Sequence, residues 1–503
     1  MSVVRTWAVA LNGITGSLVE VEADLSSQVP GFDLIGLADK ALGEAVRRVG
    51  NACSNAQLPL PRRRITVSLS PSALPKRGSG FDVAIAIAAI ATEHEVSRDS
   101  LQRTVHIGEL GLDGRLRPVP GVLPCVIAAR DAGFDRVIVP YGNRDEALLI
   151  PGIEVIGAIA LSDVAQAHGL DCEAHELEPL VASAAEVTGG EVGDLKDVVG
   201  QRDAVESLIV AAAGAHHVVM SGPPGAGKTM LASRLPGILP DLTNEQAIDV
   251  ACIRSLAGAP LSTLPSVVPF EAPHHTASVV ALIGGGSGII RPGAIARAAH
   301  GILFLDEAAE FPAAVLDGLR QPLESGSITI HRAGATATFP ARCQLVLAMN
   351  PCPCGNYGVR GAECTCPPQA MRRYQSRLSG PVRDRIDIEL PMRRVTSTTA
   401  APTVTTHEAR ERVAGARDRA AQRLRETPWR VNSEVAGAYL RRQSVVAGAR
   451  DALDRALERG QITLRGYDRS MRLAWTLADL DGVDRVTATH VGRALLLKQG
   501  MAA

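Results

Sequence analysis

Apolar positions recur along this chain in three rhythms. In roughly the first 180 positions, short β-branched runs (65–69, 137–139) alternate with alanine-rich stretches (83–92, 126–132). That alternation predicts an α/β unit. Further on, an amphipathic helix over 197–217 leads into residues 218–220, the first of three wholly apolar runs, with 301–305 and 345–349 following. Such runs fit strands of a parallel sheet covered on both faces. After residue 396 the pattern turns helical, with apolar residues three and four apart over 408–426, 436–442, 444–460, 467–480 and 488–499. An acidic, small-residue stretch (174–193) and a Ser/Thr-rich one (395–406) read as connectors. The expected division is 1–175, a linker 176–195, a core 196–395 and a helical part 396–503.

Composition supports several buried cores, since 46% of the 503 residues are apolar. A net charge of −1 advertises neither nucleic acid nor membrane, so any basic surface must be local. The first residues lack the apolar core of a secretory leader, and no run approaches the roughly 18 residues of a membrane span. The expectation is a cytoplasmic protein without membrane attachment. Arginine dominates the cations, which makes the five lysines (Lys40, Lys76, Lys196, Lys228, Lys498) conspicuous.

One of them lies in SGPPGAGKT, residues 221–229, directly after the first apolar run. Gly222, Pro223, Pro224, Gly225, Ala226, Gly227, Lys228 and Thr229 fit the phosphate-loop pattern GxxxxGK[ST]. Backbone N–H groups of such a loop wrap phosphates, Lys228 reaches the β/γ-phosphates of ATP, and the Thr229 hydroxyl holds Mg²⁺. The run 301–305 ends in Asp306 and Glu307. This Walker B arrangement puts Asp306 beside the Mg²⁺ and Glu307 where it orients and deprotonates the attacking water. Asn350, after the third run, stands where ligands sit in a doubly wound sheet and is placed to help position that water; the alternative is a turn residue before Pro351. Between the Walker motifs, His274 and His275 fit neither a metal site nor a second nucleotide loop, so 272–300 reads as a mobile glycine-rich insertion. A hairpin is expected over 327–339, turning at 333–334.

Of nine cysteines, four crowd together as CxC, nine residues, CxC. Cys352, Cys354, Cys364 and Cys366 can satisfy a structural Zn²⁺ with four thiolates; reduced, unligated thiols and disulfides are the alternatives. Arg62, Arg63 and Arg64 read as a solvated edge before a strand rather than a nucleic-acid contact.

The stretches 74–90 and 106–140 resemble the Lon-type proteolytic domain, an S5-like α/β fold. The position matching its serine is Gly80, with Ser79 one place off, and the position matching its lysine is Leu123. With Lys76 the only lysine between Ala41 and Leu195, no Ser–Lys dyad is expected, and the domain reads as a structural or partner-binding relative. Residues 379–391 resemble the arginine-finger segment of AAA+ ATPases of the magnesium-chelatase and MCM-helicase group. The resemblance makes Arg385 the finger reaching a neighbouring subunit's ATP, with Arg383 as alternative, and turns the hairpin and the insertion towards a central pore, with His331 and Arg332 as DNA contacts or solvated tip residues. PHHTAS, GGGSG, GILFLDEAAEF, NPCPCG and DRID together resemble the YifB/ComM family of magnesium-chelatase-like AAA+ ATPases. That resemblance implies a P-loop core with a helical lid folded over the nucleotide, Arg465 (alternatively Arg469) as sensor 2 and Asn350 as sensor 1. It further implies a homo-oligomeric ring, taken as a hexamer, acting on single-stranded or branched DNA as a helicase in branch migration during natural transformation. A chelatase-type motor subunit is the second reading.

Overall fold

In a computed structural model, the described residues are 3–36, 40–76, 78–174, 177–181, 193–286, 290–332, 335–359, 362–395 and 404–500. Two sheets organise the chain. The N-terminal sheet has seven strands in the order Gly31–Ile35, Arg64–Ser70, Thr15–Ser26, Val4–Asn12, Thr104–His106, Arg136–Pro140, Glu154–Ala158. Thr15–Ser26 runs antiparallel to both its neighbours, and the remaining pairs are parallel. Helix Asp82–Ile90 is apolar on all sides after its first residue and accordingly buried throughout. Arg64 begins its strand and pairs with Asp33 at 2.7 Å, a structural use of one of the three arginines.

The second sheet is wholly parallel, ordered Phe270–Glu271, Ile302–Leu305, Gln344–Met349, Val218–Ser221, Ile388–Pro391. Every residue of Ile302–Leu305 and Gln344–Met349 is buried, because helices cover both faces. The registers Ser221↔Met349 and Leu305↔Leu347 bring three strand ends level, so Gly222, Asp306 and Asn350 emerge at one edge.

Among the described residues, five α-helices follow residue 404. Thr406–Arg423 opens on a reciprocal cap between Thr405 and Glu408. The segment expected to be helical from residue 444 becomes helical only at Asp451. Gly448 takes a left-handed φ of +76°, and the Val446 N–H donates to Val486 O at 3.0 Å, outside any helix ladder. Helix Leu464–Asp481 begins earlier than expected, capped by the Thr463 side chain and ended by Gly482 at φ +71°. Among the described residues no helix is long and apolar enough to cross a membrane.

The helical part packs on the core that carries the phosphate loop, in one apolar cluster with Ala226, Leu231 and Ala232. Its apolar face, with Leu473, Trp475 and Leu477, shares a core with helix Arg202–Gly214 and the strand Val218–Ser221. Arg417 donates twice to the Ala212 carbonyl (3.1 and 2.7 Å), and Thr476 bonds His216 at 2.8 Å. The hairpin Ser327–Arg332/Ala335–Pro340 forms as expected, its turn at 333–334 lying outside the described residues. Ile328, Ile330 and Phe339 bury one face on the core. Along the other strand the N-terminal unit comes so near that a Cβ on Gly13 would stand 2.0 Å from the Thr338 carbonyl oxygen. In the insertion, the described residues include helix Val279–Ile283 and a short antiparallel ladder pairing Gly284–Gly285 with Arg291–Pro292.

Candidate functional site

The phosphate loop, Asp306, Glu307 and Asn350 stand at the carboxyl ends of strands, where open α/β sheets place ligands. The turn after Ser221 needs glycine for two reasons. A Cβ on Gly222 would lie 2.5 Å from Met392 O, and Gly225 and Gly227 adopt φ of +76° and +87°. Helix Lys228–Ala232 then starts at the lysine. Residues 224–230 with Asp306, Glu307, Met349 and Asn350 line a cavity of about 350 Å³.

Within it, Lys228 Nζ donates to Gly222 O (2.7 Å), Pro223 O (3.1 Å) and Asn350 Oδ1 (3.0 Å). Burial lowers the Lys228 pKa, opposed by the carboxylates of Asp306 and Glu307. The Thr229 hydroxyl donates to Asp306 Oδ2 at 2.7 Å. A hydroxyl and a carboxylate in contact are the two oxygen donors that a Mg²⁺ keeping its remaining ligands from water and phosphate requires, so these residues fit that ion. Glu307 has a left-handed φ of +51°, which is uncommon for a residue with a side chain. Its Oε2 lies 3.4 Å from His275 Nδ1. Sequence reasoning misses His275, because the contact follows from strand order: the loop after Phe270–Glu271 faces the loop after the adjacent strand Ile302–Leu305.

The expected arginines gather elsewhere. Arg385 is only 7% exposed at its side chain, donates to Pro381 O (2.6 Å) and pairs with Glu324, itself 53% exposed. Burial lowers its pKa, opposed by Glu324 and reinforced by the fields of Arg465, Arg320 and Arg469. Arg465 reaches the same Glu324 at 3.5 Å, while Arg469 binds Arg385 O at 2.7 Å and Asp387 Oδ1 at 2.5 Å. Arg383 makes a two-point pair with Glu389 at 3.0 and 2.9 Å. None of these arginines is among the residues lining the phosphate-loop cavity of its own chain. His331 and Arg332 are exposed on the hairpin.

The four cysteines converge. Sγ separations are 3.4 Å (Cys352–Cys354), 3.8 Å (Cys352–Cys364) and 3.7 Å (Cys354–Cys364), and all four sulfurs lie within 4.8 Å of one another. A tetrahedron with zinc–sulfur bonds of about 2.3 Å has edges of about 3.8 Å. The set fits a tetrahedral thiolate-bound metal, and Zn²⁺ is the ion this chemistry favours.

In the N-terminal unit, Ser79 Oγ donates to Glu109, while the buried Lys76 ammonium donates to the carbonyls of Pro71 and Leu74 (3.3 Å to the latter). Neither is arranged to activate the other, so the residues present do not form a Ser–Lys dyad.

A parallel sheet carrying a phosphate loop, a strand ending in Asp–Glu and a third ending in Asn defines an α/β P-loop nucleotide-binding protein. Family models extend this: "Magnesium chelatase, subunit ChlI" matches 194–400, "Subunit ChlI of Mg-chelatase" 21–143, and the ChlI C-terminal model 403–498. Competence protein ComM of Haemophilus influenzae is 40% identical over 98% of this chain and 97% of its own. YifB of Escherichia coli, an uncharacterized protein, is 38% identical over 98% and 96%. An uncharacterized protein of Mycobacterium tuberculosis is 45% identical over 99% of both chains. A partial match, 28% identical over 30% of each chain, is to Lon protease 2 of Bacillus subtilis, in keeping with an α/β unit of that type. The chain belongs to the magnesium-chelatase-like AAA+ family that includes ComM and YifB.

Proposed function

We propose that this protein is a ring-forming ATPase that couples ATP hydrolysis to remodelling of single-stranded or branched DNA, as a helicase or branch-migration motor in recombination of incoming DNA. The observation that carries the reading is the split of the machinery. Lys228, Thr229, Asp306, Glu307 and Asn350 share one cavity, whereas Arg385, Arg465, Arg469 and Arg320 cluster away from it. Two half-sites on one chain make a whole site when copies stand side by side in a head-to-tail ring.

In that reading the loop N–H groups and Lys228 bind the phosphates, and Thr229 and Asp306 hold Mg²⁺, whose charge polarises the γ-phosphate. Glu307 takes the proton of the attacking water, with Asn350 holding Lys228 and the water in place. From the next subunit, Arg385 or Arg465 meets the γ-phosphate once that phosphate replaces Glu324 as their anion. Such a finger contributes roughly 10³ to 10⁵ in rate. His331 and Arg332 face the DNA. The name of ComM supports a competence role, and the chelatase family name supports a chelatase-type motor as the second reading.

The test is ATP hydrolysis by the full chain with and without single-stranded DNA, run beside a fork-unwinding assay. DNA is expected to accelerate hydrolysis, and Glu307→Gln to trap a nucleotide-bound ring. A hydrolysis rate and an assembly state both indifferent to DNA would remove the helicase reading.

A further inference from the structure

The four-cysteine loop touches the phosphate loop. Asn350 accepts from Lys228, and Cys352 follows two residues later. Gly355, next to Cys354, has φ +77° and lies so close to the phosphate loop that a Cβ there would stand 2.5 Å from Pro224 Cδ. The turn is tied to the sulfurs: the Gly355 N–H donates to Cys352 O at 2.9 Å, and the Tyr357 N–H reaches Cys352 Sγ at 3.3 Å. Gln375 donates to Pro351 O at 3.2 Å, fixing the loop's root. Thiol–thiol hydrogen bonds are weak, and a bound cation would account for four sulfurs at this spacing.

We propose that the cysteine loop positions the nucleotide site. Metal held by Cys352, Cys354, Cys364 and Cys366 fixes Gly355 against Pro224 and Asn350 against Lys228, and a nucleotide bound in residues 221–229 stabilises that same arrangement. Metal and nucleotide then bind in one coupled equilibrium, and by linkage each tightens the other by the same factor. The inference rests on the nucleotide-binding reading but not on DNA.

The full-length protein, purified without chelator, is titrated with a chromophoric chelator of known zinc affinity, with and without MgADP. MgADP affinity is measured by calorimetry on the zinc-loaded, zinc-stripped and zinc-restored protein. The expected result is one zinc per chain, held about fivefold or more tighter with MgADP, and a matching loss of MgADP affinity on stripping that zinc restores. Gly355→Ala is expected to keep its zinc, weaken MgADP binding and lose most of the coupling. Because these measurements on the unmodified protein decide the matter, a misfolded variant does not shelter the idea. Zinc affinity indifferent to MgADP, unchanged MgADP affinity in the stripped protein, or a purified protein free of zinc would each overturn it. A protein that binds no MgADP in any form sinks this inference and the nucleotide reading together, whereas absent DNA stimulation sinks only the latter's helicase part.

Discussion

Glu146 shows how much a single side chain can hide from the sequence. It lies on a short N-terminal helix, yet it is buried where that unit meets helix Asn244–Ala257, near Cys125 and Cys252. Burial, outweighing hydrogen bonds from Ser255 and Asn143, pushes its pKa from an ordinary 4.5 up to about 7. The folded chain therefore holds this proton more tightly than the unfolded one. The resulting stabilisation is complete below pH 4.5 and disappears as pH rises towards 7, leaving a charged carboxylate that costs up to about 3 kcal/mol. Glu146→Gln should melt at a higher temperature than the unmodified protein at pH 8, with the gap closing near pH 5. A variant less stable at pH 8 would contradict this account. By contrast, Lys228, Thr229, Asp306 and Glu307 are legible because their spacing is local; the His275–Glu307 and Arg385–Glu324 contacts are not, since they join segments 32 and 61 positions apart.

Among the elements, the sheet strands are the easiest to foresee. Uninterrupted apolar runs have one comfortable place, the middle of a covered parallel sheet, and the three expected runs lie there. Helix ends are harder, because a left-handed glycine such as Gly448 overrides an apolar period that by itself would continue. The hairpin illustrates both limits. Its strands follow from alternation, but only packing reveals that Phe339 is fully buried beneath it. Phe339→Ala should cost about 3–5 kcal/mol in urea unfolding, as large aromatic deletions in closed cores do. A loss below about 1 kcal/mol would mean that the hairpin is not anchored as described.

For the whole molecule, the family resemblance implies a helical lid on the nucleotide-binding core, and the structure packs those helices into one apolar cluster with Ala226, Leu231 and the strand Val218–Ser221. Periodicity marks the buried Leu473 and Leu477 face but not which element covers it. The proposed ring is testable by mixing. Lys228→Ala chains and Arg385→Ala chains should each be nearly inactive alone, and a mixture should regain part of the ATPase rate, because some interfaces then combine an intact loop with an intact finger. No recovery on mixing would argue that each chain holds a self-sufficient site. The close approach of Gly13 to Thr338 has a mechanical consequence. A hairpin gripped along one strand is a clamped beam rather than a free whisker, so a load applied near His331 and Arg332 would be passed to the N-terminal unit.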